Sequence, residues 1–353
     1  MRFFLILILS VSIASCGKFR PFGSIVDAFT GATVDTANGT NSTFDNEKLY
    51  ELCAPQLVVE GDVYQPGTED FKNLYKRSVV VRECKYGFEG KEGFVGAYRY
   101  EGYSLFDILN KRVLKKANKE EFKPEIDVYV VVENAKGEKA VFSWGEIFLA
   151  ARPHAILLAT DVSRIVPHKS KDQWPLPDQC RIVVANDLYC ERYIENPKKI
   201  TVVTAGRQYE INRDLDPLIS ESIRFAEGDS LKANFSQFPE GLGDYEAHVM
   251  FFGMGRGIHD TKPVVGKRMK DCLAPYFPAD IQKLRSGFFI AAGLDGYRTV
   301  YSYSEIFNRN DQSDILILPF DGNGGKFRSS VPADFYADRS VKALRELYFI
   351  SVQ

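Results

Sequence analysis

The sequence is poor in the groups that most often carry chemistry. It holds 4 histidines, His154, His168, His248 and His259, scattered along 353 residues. No Cys-x-x-Cys pair and no Cys/His cluster of metal-ligand spacing occurs, which argues against a zinc site. No Gly-x-Gly-x-x-Gly opens a helix and no series of buried strands alternates with helices, which argues against a dinucleotide-binding fold. Gly253-Met-Gly-Arg-Gly257 lacks the Lys-Ser/Thr of a phosphate loop and reads as a turn. Charge of one sign is lacking too. Lys and Arg number 45 against 47 Asp and Glu, a formal charge of −2, so neither nucleic acid nor acidic lipid is expected as a general partner. The apolar run from Phe3 to about Ala14 falls short of the ~20 residues that a spanning helix needs.

What is present is an ordinary globular composition, 45% hydrophobic and 26% charged, with aromatics at 13%. Such aromatic content suits strand-rich structure, since these rings pack well on pleated surfaces. The chain also repeats itself. Gly137-Glu-Lys-Ala-Val-Phe-Ser-Trp-Gly-Glu-Ile-Phe148 matches Gly296-Tyr-Arg-Thr-Val-Tyr-Ser-Tyr-Ser-Glu-Ile-Phe307 without a gap. In both, a turn glycine leads into an alternating strand, and Ser143 or Ser302 stands near the N-cap of a helix. Arg181–Arg192 aligns with Arg328–Arg339, sharing Arg, Val, Asp, Tyr and Arg at equal spacing, and Gly102–Leu109 aligns with Gly266–Leu273. Three blocks in the same order predict two tandem copies of one α+β unit with mixed, mostly antiparallel sheets and short helices.

The N-terminus resembles that of a bacterial lipoprotein. One basic residue precedes the apolar run, which ends in Ile13-Ala14-Ser15-Cys16, similar to a lipobox. The resemblance implies removal of residues 1–15, acylation of Cys16 and attachment to a membrane of the cell envelope, at the outer membrane or the periplasmic face. Residues 16–46, rich in Gly, Thr, Ala and Asn, read as a flexible tether, within which Asp35-Thr36-Ala37 resembles a short O-glycosylation signal. Five further cysteines follow Cys16, an odd number, of which Cys180 and Cys190 could pair across a hairpin.

At the repeated blocks the chain resembles the oxidoreductase molybdopterin-binding domain of the sulfite oxidase family. The resemblance rests on Glu60-Gly61-Asp62-Val63-Tyr64-Gln65-Pro66, the Gly102–Leu109 helix block, Asp295-Gly296-Tyr297, the strand Arg181–Asp187 and the closing Arg192-Tyr193-Ile194 through Ile200. It implies a first copy over 47–204 and a degenerate second over 205–353. It implies further that Cys84 is the residue to ligate a molybdenum centre, a thiolate being a suitable soft ligand, with Arg181 and Lys198 or Lys199 facing a pterin phosphate. The chain departs from the family where Lys85-Tyr86-Gly87 replaces an arginine pair and Trp174–Arg181 replaces a His-Gly-x-Pro-x-Arg approach. Because Arg181 recurs as Arg328 in the copy without the cysteine, a structural ion pair with Asp187 or Asp334 competes with the cofactor role. The expectation drawn is a non-catalytic binding or assembly module with no resident cofactor and other envelope proteins as partners. The alternative is a molybdopterin-dependent oxidoreductase using Cys84. His168 and His259 read as solvated surface groups.

Overall fold

The computed structural model describes residues 47–52 and 56–353, and before them only the backbone of three short strands, β1 (Ile25–Val26), β2 (Thr33–Val34) and β3 (Phe44–Asn46). Cys16, Asp35-Thr36-Ala37, Cys53 and most of the expected tether lie outside the described residues. The chain continues through β4 (Tyr50–Glu51), β5 (Val58–Gly61), β6 (Gly67–Thr68), β7 (Arg77–Cys84), β8 (Phe94–Ser104), α1 (Leu105–Asn110), β9 (Val128–Asn134), β10 (Lys139–Ser143), α2 (Trp144–Phe148), β11 (Ile156–Pro167), β12 (Arg181–Val184) and β13 (Pro197–Thr204). The later part holds β14 (Ile223–Glu227), β15 (Ser230–Phe235), β16 (Tyr245–His248), β17 (Phe251–Gly253), β18 (Gly257–Asp260), β19 (Pro263–Arg268), α3 (Met269–Leu273), α4 (Ile281–Ser286), β20 (Gly287–Gly293), β21 (Arg298–Ser302), α5 (Tyr303–Phe307), β22 (Leu316–Phe320), β23 (Lys326–Ser330) and β24 (Leu344–Ser351).

The expected α+β, two-domain, sulfite-oxidase-like fold is overturned. The protein is mostly β, 43% strand against 13% helix, with small sheets set as the four blades of a β-propeller. The apolar residues three to four apart that suggested amphipathic helices make only one or two turns. No α-helix among the described residues exceeds six residues, as in α1 and α4. Strands dominate because the long apolar stretches are buried on both faces or alternate. Val128–Asn134 is covered on both sides, whereas the 11 residues of β8 alternate, turning Tyr98 and Tyr100 inward.

The repeat reappears in the strand order. One sheet runs β10-β9-β13-β5-β6 and its counterpart β21-β20-β24-β14-β15, each with one parallel pairing, β13 with β5 and β24 with β14. Two more sheets run β12-β11-β8-β7, with β3 and β4 against β11, and β23-β22-β19-β16, beside the two-stranded β1-β2 and β17-β18. The recurring residues have local causes. Gly137 and Gly296 both sit at positive φ, 80° and 78°, in the turns before β10 and β21. Gly102 and Gly266 stand where strands press together: a Cβ would lie 2.1 Å from the Leu158 carbonyl oxygen in one and 2.6 Å from that of Ile317 in the other. Ser143 and Ser302 each cap a helix, accepting from the amides of Glu146 and Glu305, whose side chains reach back to the serine amides in a complete capping box.

The two parts are fused. Val131 and Val141 pack with Phe288, Ile290 and Val300 in one buried cluster, and the Val300 amide donates to the Ile126 carbonyl at 2.8 Å.

Candidate functional site

Of the residues expected to hold a cofactor, Cys84 is flanked by Glu83, which pairs with Arg181, and by Lys85, which lines a cleft with Arg181, whereas Lys198 lies on another sheet. Cys84 ends β7, its Sγ 3.7 Å from the Lys85 carbonyl oxygen and close against Gly93, where an added Cβ would lie 3.1 Å from the sulfur. Arg181 opens β12 and lines a half-open cleft of about 370 Å³ with Lys85, Tyr86, Cys190, Glu191 and Arg285. Neither Cys84 nor Lys198 lines that cleft. Lys198 lies at a bulge of β13, on another sheet, and neighbouring Lys199 bonds Glu133 at 3.3 Å and Glu60 at 3.7 Å.

Arg181 is also already neutralised. Its Nη2 is 2.8 Å from Glu195 Oε1 and its Nη1 3.5 Å from Glu83 Oε2. Burial pushes the Glu83 carboxyl up and Arg181 pulls it down, while the Tyr100 hydroxyl donates to it at 2.6 Å. The thiol that does line the cleft, Cys190, is pushed up to about 12 by burial and the nearby Glu83 and Glu191 carboxylates, so it is protonated near neutrality. Cys190 forms no disulfide, so the expected bridge to Cys180 is not made. A pterin-held metal needs a thiolate aimed into a cavity beside free cations, and these residues do not fit it. The ion pair proposed for Arg181 with Asp187 is also corrected: Asp187 binds Arg192 instead, and Arg328 lies over the Phe320 ring, 4.5 Å from its centroid.

Two other features emerge. The first is a closed cluster of charges where the halves meet. Arg192 donates from Nε and Nη2 to both oxygens of Asp187 at 2.8 and 2.7 Å, and from Nη1 to Glu146 Oε1 at 3.0 Å. Arg339 repeats this with Asp334, at 2.7 Å to each oxygen, and pairs with Glu305. Each guanidinium then crosses over. Arg192 Nη1 reaches Ser302 Oγ at 3.2 Å, and Arg339 Nη1 reaches Ser143 Oγ at 3.1 Å. Burial raises the carboxyls of Glu146, Asp187 and Asp334, and the paired arginines oppose it. Only about 20 Å³ of free space remains beside these groups, too little for a substrate, so the cluster is a structural lock. The alignment already carried the signal, since Asp187/Asp334 and Arg192/Arg339 recur at equal spacing.

The second is an apolar cleft of about 600 Å³ beneath the β17–β18 hairpin, lined among others by Val249, Phe252, Ile258, Val331, Pro332 and Ala337. The hairpin is held by Phe252, which stacks on Tyr336 at 5.7 Å, and by the Met254 amide, which donates to Asp338 at 3.0 Å. Gly253–Gly257 forms its turn. Apolar side chains stand exposed around the mouth: Met250 at 74%, Ile258 at 59% and Phe335 at 55%. Asp334, on its wall, is fully committed to Arg339.

Among the described residues no group of three or more His, Cys, Asp and Glu is placed to hold a metal ion, and no helix is long and apolar enough to cross a membrane. The fold and site together define a mostly β protein, its larger sheets set as four blades, with an apolar cleft and a sealed ionic centre. No family model matches the sequence, and no curated protein matches it either.

Proposed function

We propose that this chain is a non-catalytic binding module, held at a membrane of the cell envelope through a lipid on Cys16, which receives an apolar group of an envelope partner in the cleft under the β17–β18 hairpin. The observation that carries this reading is the pairing of an open apolar cleft and exposed Met250, Ile258 and Phe335 with charged groups that are consumed in one another. Exposed apolar residues around a concave surface mark sites where water is displaced by a partner. A fluorescent apolar anion, anilinonaphthalene sulfonate, serves as the probe. It should bind saturably at one site, and Phe335→Asp should weaken that binding by about tenfold, as expected when a charge is set in an apolar contact. Binding that is unsaturable, or equal in Phe335→Asp, removes the cleft from the proposal.

A further expectation separates this reading from redox chemistry at Cys84. Protein exported in its native host should carry no stoichiometric molybdenum or pterin, and Cys84→Ser should change neither its metal content nor its melting temperature by more than a degree or so. Molybdenum lost on that substitution would reverse the conclusion.

A further inference from the structure

From the polar cleft at the start of β24 we infer an oxyanion-binding site, which takes the carboxylate or phosphate group of a small molecule. The cleft, about 400 Å³, opens between the connection that follows β13, the starts of β14 and β24 and the end of β20. Its charged lining is Arg207, Arg224, Arg345, Glu210 and Glu346. Glu346 is 5% exposed and is spent within the chain. Arg207 donates to both of its oxygens, at 3.1 and 3.2 Å, and the Tyr209 hydroxyl donates to it at 2.9 Å. The Arg207 guanidinium also lies over the Tyr348 ring, 3.6 Å from its centroid. Arg224 and Arg345 are different. Among the described residues no hydrogen bond or ion pair engages either side chain, although Arg224 is half-buried. Against these two guanidiniums the lining leaves one carboxylate, the exposed Glu210, so the cleft is positive.

The repeat shows that this arrangement of charge is particular to the second half. In β24 the pairs Leu344–Gly293 and Glu346–Ala292 leave Arg345 as an extra residue, a bulge. In β13 the pairs Pro197–Asn134 and Lys199–Glu133 leave Lys198 as the same bulge. A residue at positive φ stands two before each, Asn196 at 46° and Ala343 at 42°. Such bulges re-aim side chains, and this one sets Arg345 beside Glu346 on the cleft. The neighbours of the two bulges differ. In the first half Lys199 pairs with Glu133 and Glu60, and Val58 lies next to it on β5. The second half has Ala292 in the place of Glu133, Ala226 in that of Glu60 and Arg224 in that of Val58. Glu346 stands where Lys199 does and is matched by Arg207. One backbone frame has thus lost two carboxylates and gained a guanidinium. Guanidinium groups offer forked N–H donors that match the paired oxygens of a carboxylate or phosphate. A cleft of one sign with low-dielectric walls concentrates ions of the other. Its volume, bounded on the apolar side by Leu215 and Leu294, suits the organic remainder of a small ligand.

The test is isothermal titration calorimetry of the full chain in a mild detergent at low salt, with inorganic phosphate, glycerophosphate and succinate as probes. At least one should bind at one site per chain, with a Kd below about 1 mM. The tightest of the three identifies the source of the oxyanion as the free ion, a phosphate ester or a carboxylate. Arg224→Gln and Arg345→Gln remove side chains that have no partner in the fold. Each should weaken that probe by about tenfold, the loss of a charge-assisted bond, and leave the melting temperature unaltered. Lys198→Gln, at the matching bulge of the first half, should leave the affinity as it is. No saturable binding by any of the three, an affinity untouched by Arg224→Gln and Arg345→Gln, or an equal loss in Lys198→Gln overturns the inference.

Discussion

Arg192→Met removes about 3–5 kcal/mol of folding stability, the loss expected when one member of a buried ionic group is deleted and its partners are left without a counter-charge. Urea denaturation followed by circular dichroism measures it. Asp187 and Glu146 are left behind, both carboxyls that burial already raises and that Arg192 holds down. Without the arginine they rise further, so the folded variant binds protons more tightly than the unfolded chain. A carboxyl raised on folding favours the folded state at low pH and loses that favour as pH climbs from its unfolded value, about 4, towards its folded one. The deficit of Arg192→Met therefore shrinks as the solution is acidified from pH 7 towards pH 5. A deficit that is constant or larger at pH 5 contradicts the assignment of these charges. Arg339→Met should behave alike, its partners Asp334 and Glu305 being sealed as completely.

Asp127→Ala is expected to be equally damaging for the opposite reason, because it strands cations. The Asp127 side chain is wholly buried and takes Lys116 Nζ at 2.9 Å, Arg298 Nε at 3.1 Å and Asn118 Nδ2 at 2.9 Å. The Phe122 ring lies beneath both cations, 4.6 Å from Lys116 and 4.5 Å from Arg298. Burial already lowers the Lys116 ammonium, and Asp127 is the main force holding it up. Without the carboxylate, burial lowers the Lys116 ammonium further, whereas Arg298 keeps its charge and retains Glu121, at 3.0 Å, as its carboxylate partner. The loss should again be about 3–5 kcal/mol by urea denaturation. Asp127→Asn should recover only part of it, because its amide oxygen still accepts on one side while its NH2 faces a donor on the other. A loss below about 1 kcal/mol, the range of an exposed ion pair, would show that the charges are solvated in solution.

The internal symmetry was legible in the residues. Turn glycines, capping serines and the helix starts at Glu146 and Glu305 stand where the aligned blocks put them, because each answers a local demand of backbone geometry. The fold class was not legible. Spacings such as Leu105, Ile108 and Leu109 are those of a helix, but they end after six residues, and the strands between the blocks carry most of the chain. Nor could spacing reveal which arginine meets which acid. Arg181 and Asp187 lie six apart in a block that reads as one strand, yet the chain turns after Val184, and Arg192 folds back onto Asp187. The cleft under the β17–β18 hairpin left no signal beyond glycines read as a turn, since its walls come from segments about 80 residues apart.

The crossing of Arg192 to Ser302 and of Arg339 to Ser143 has a further consequence for how the chain holds together. Each half contributes the donor that completes the other's helix cap, in the manner of subunits in a symmetric homodimer that have been written into one polypeptide. A proteolytic nick in the connection at 205–222 would then leave two fragments embracing each other as a heterodimer, each still wedged into its twin.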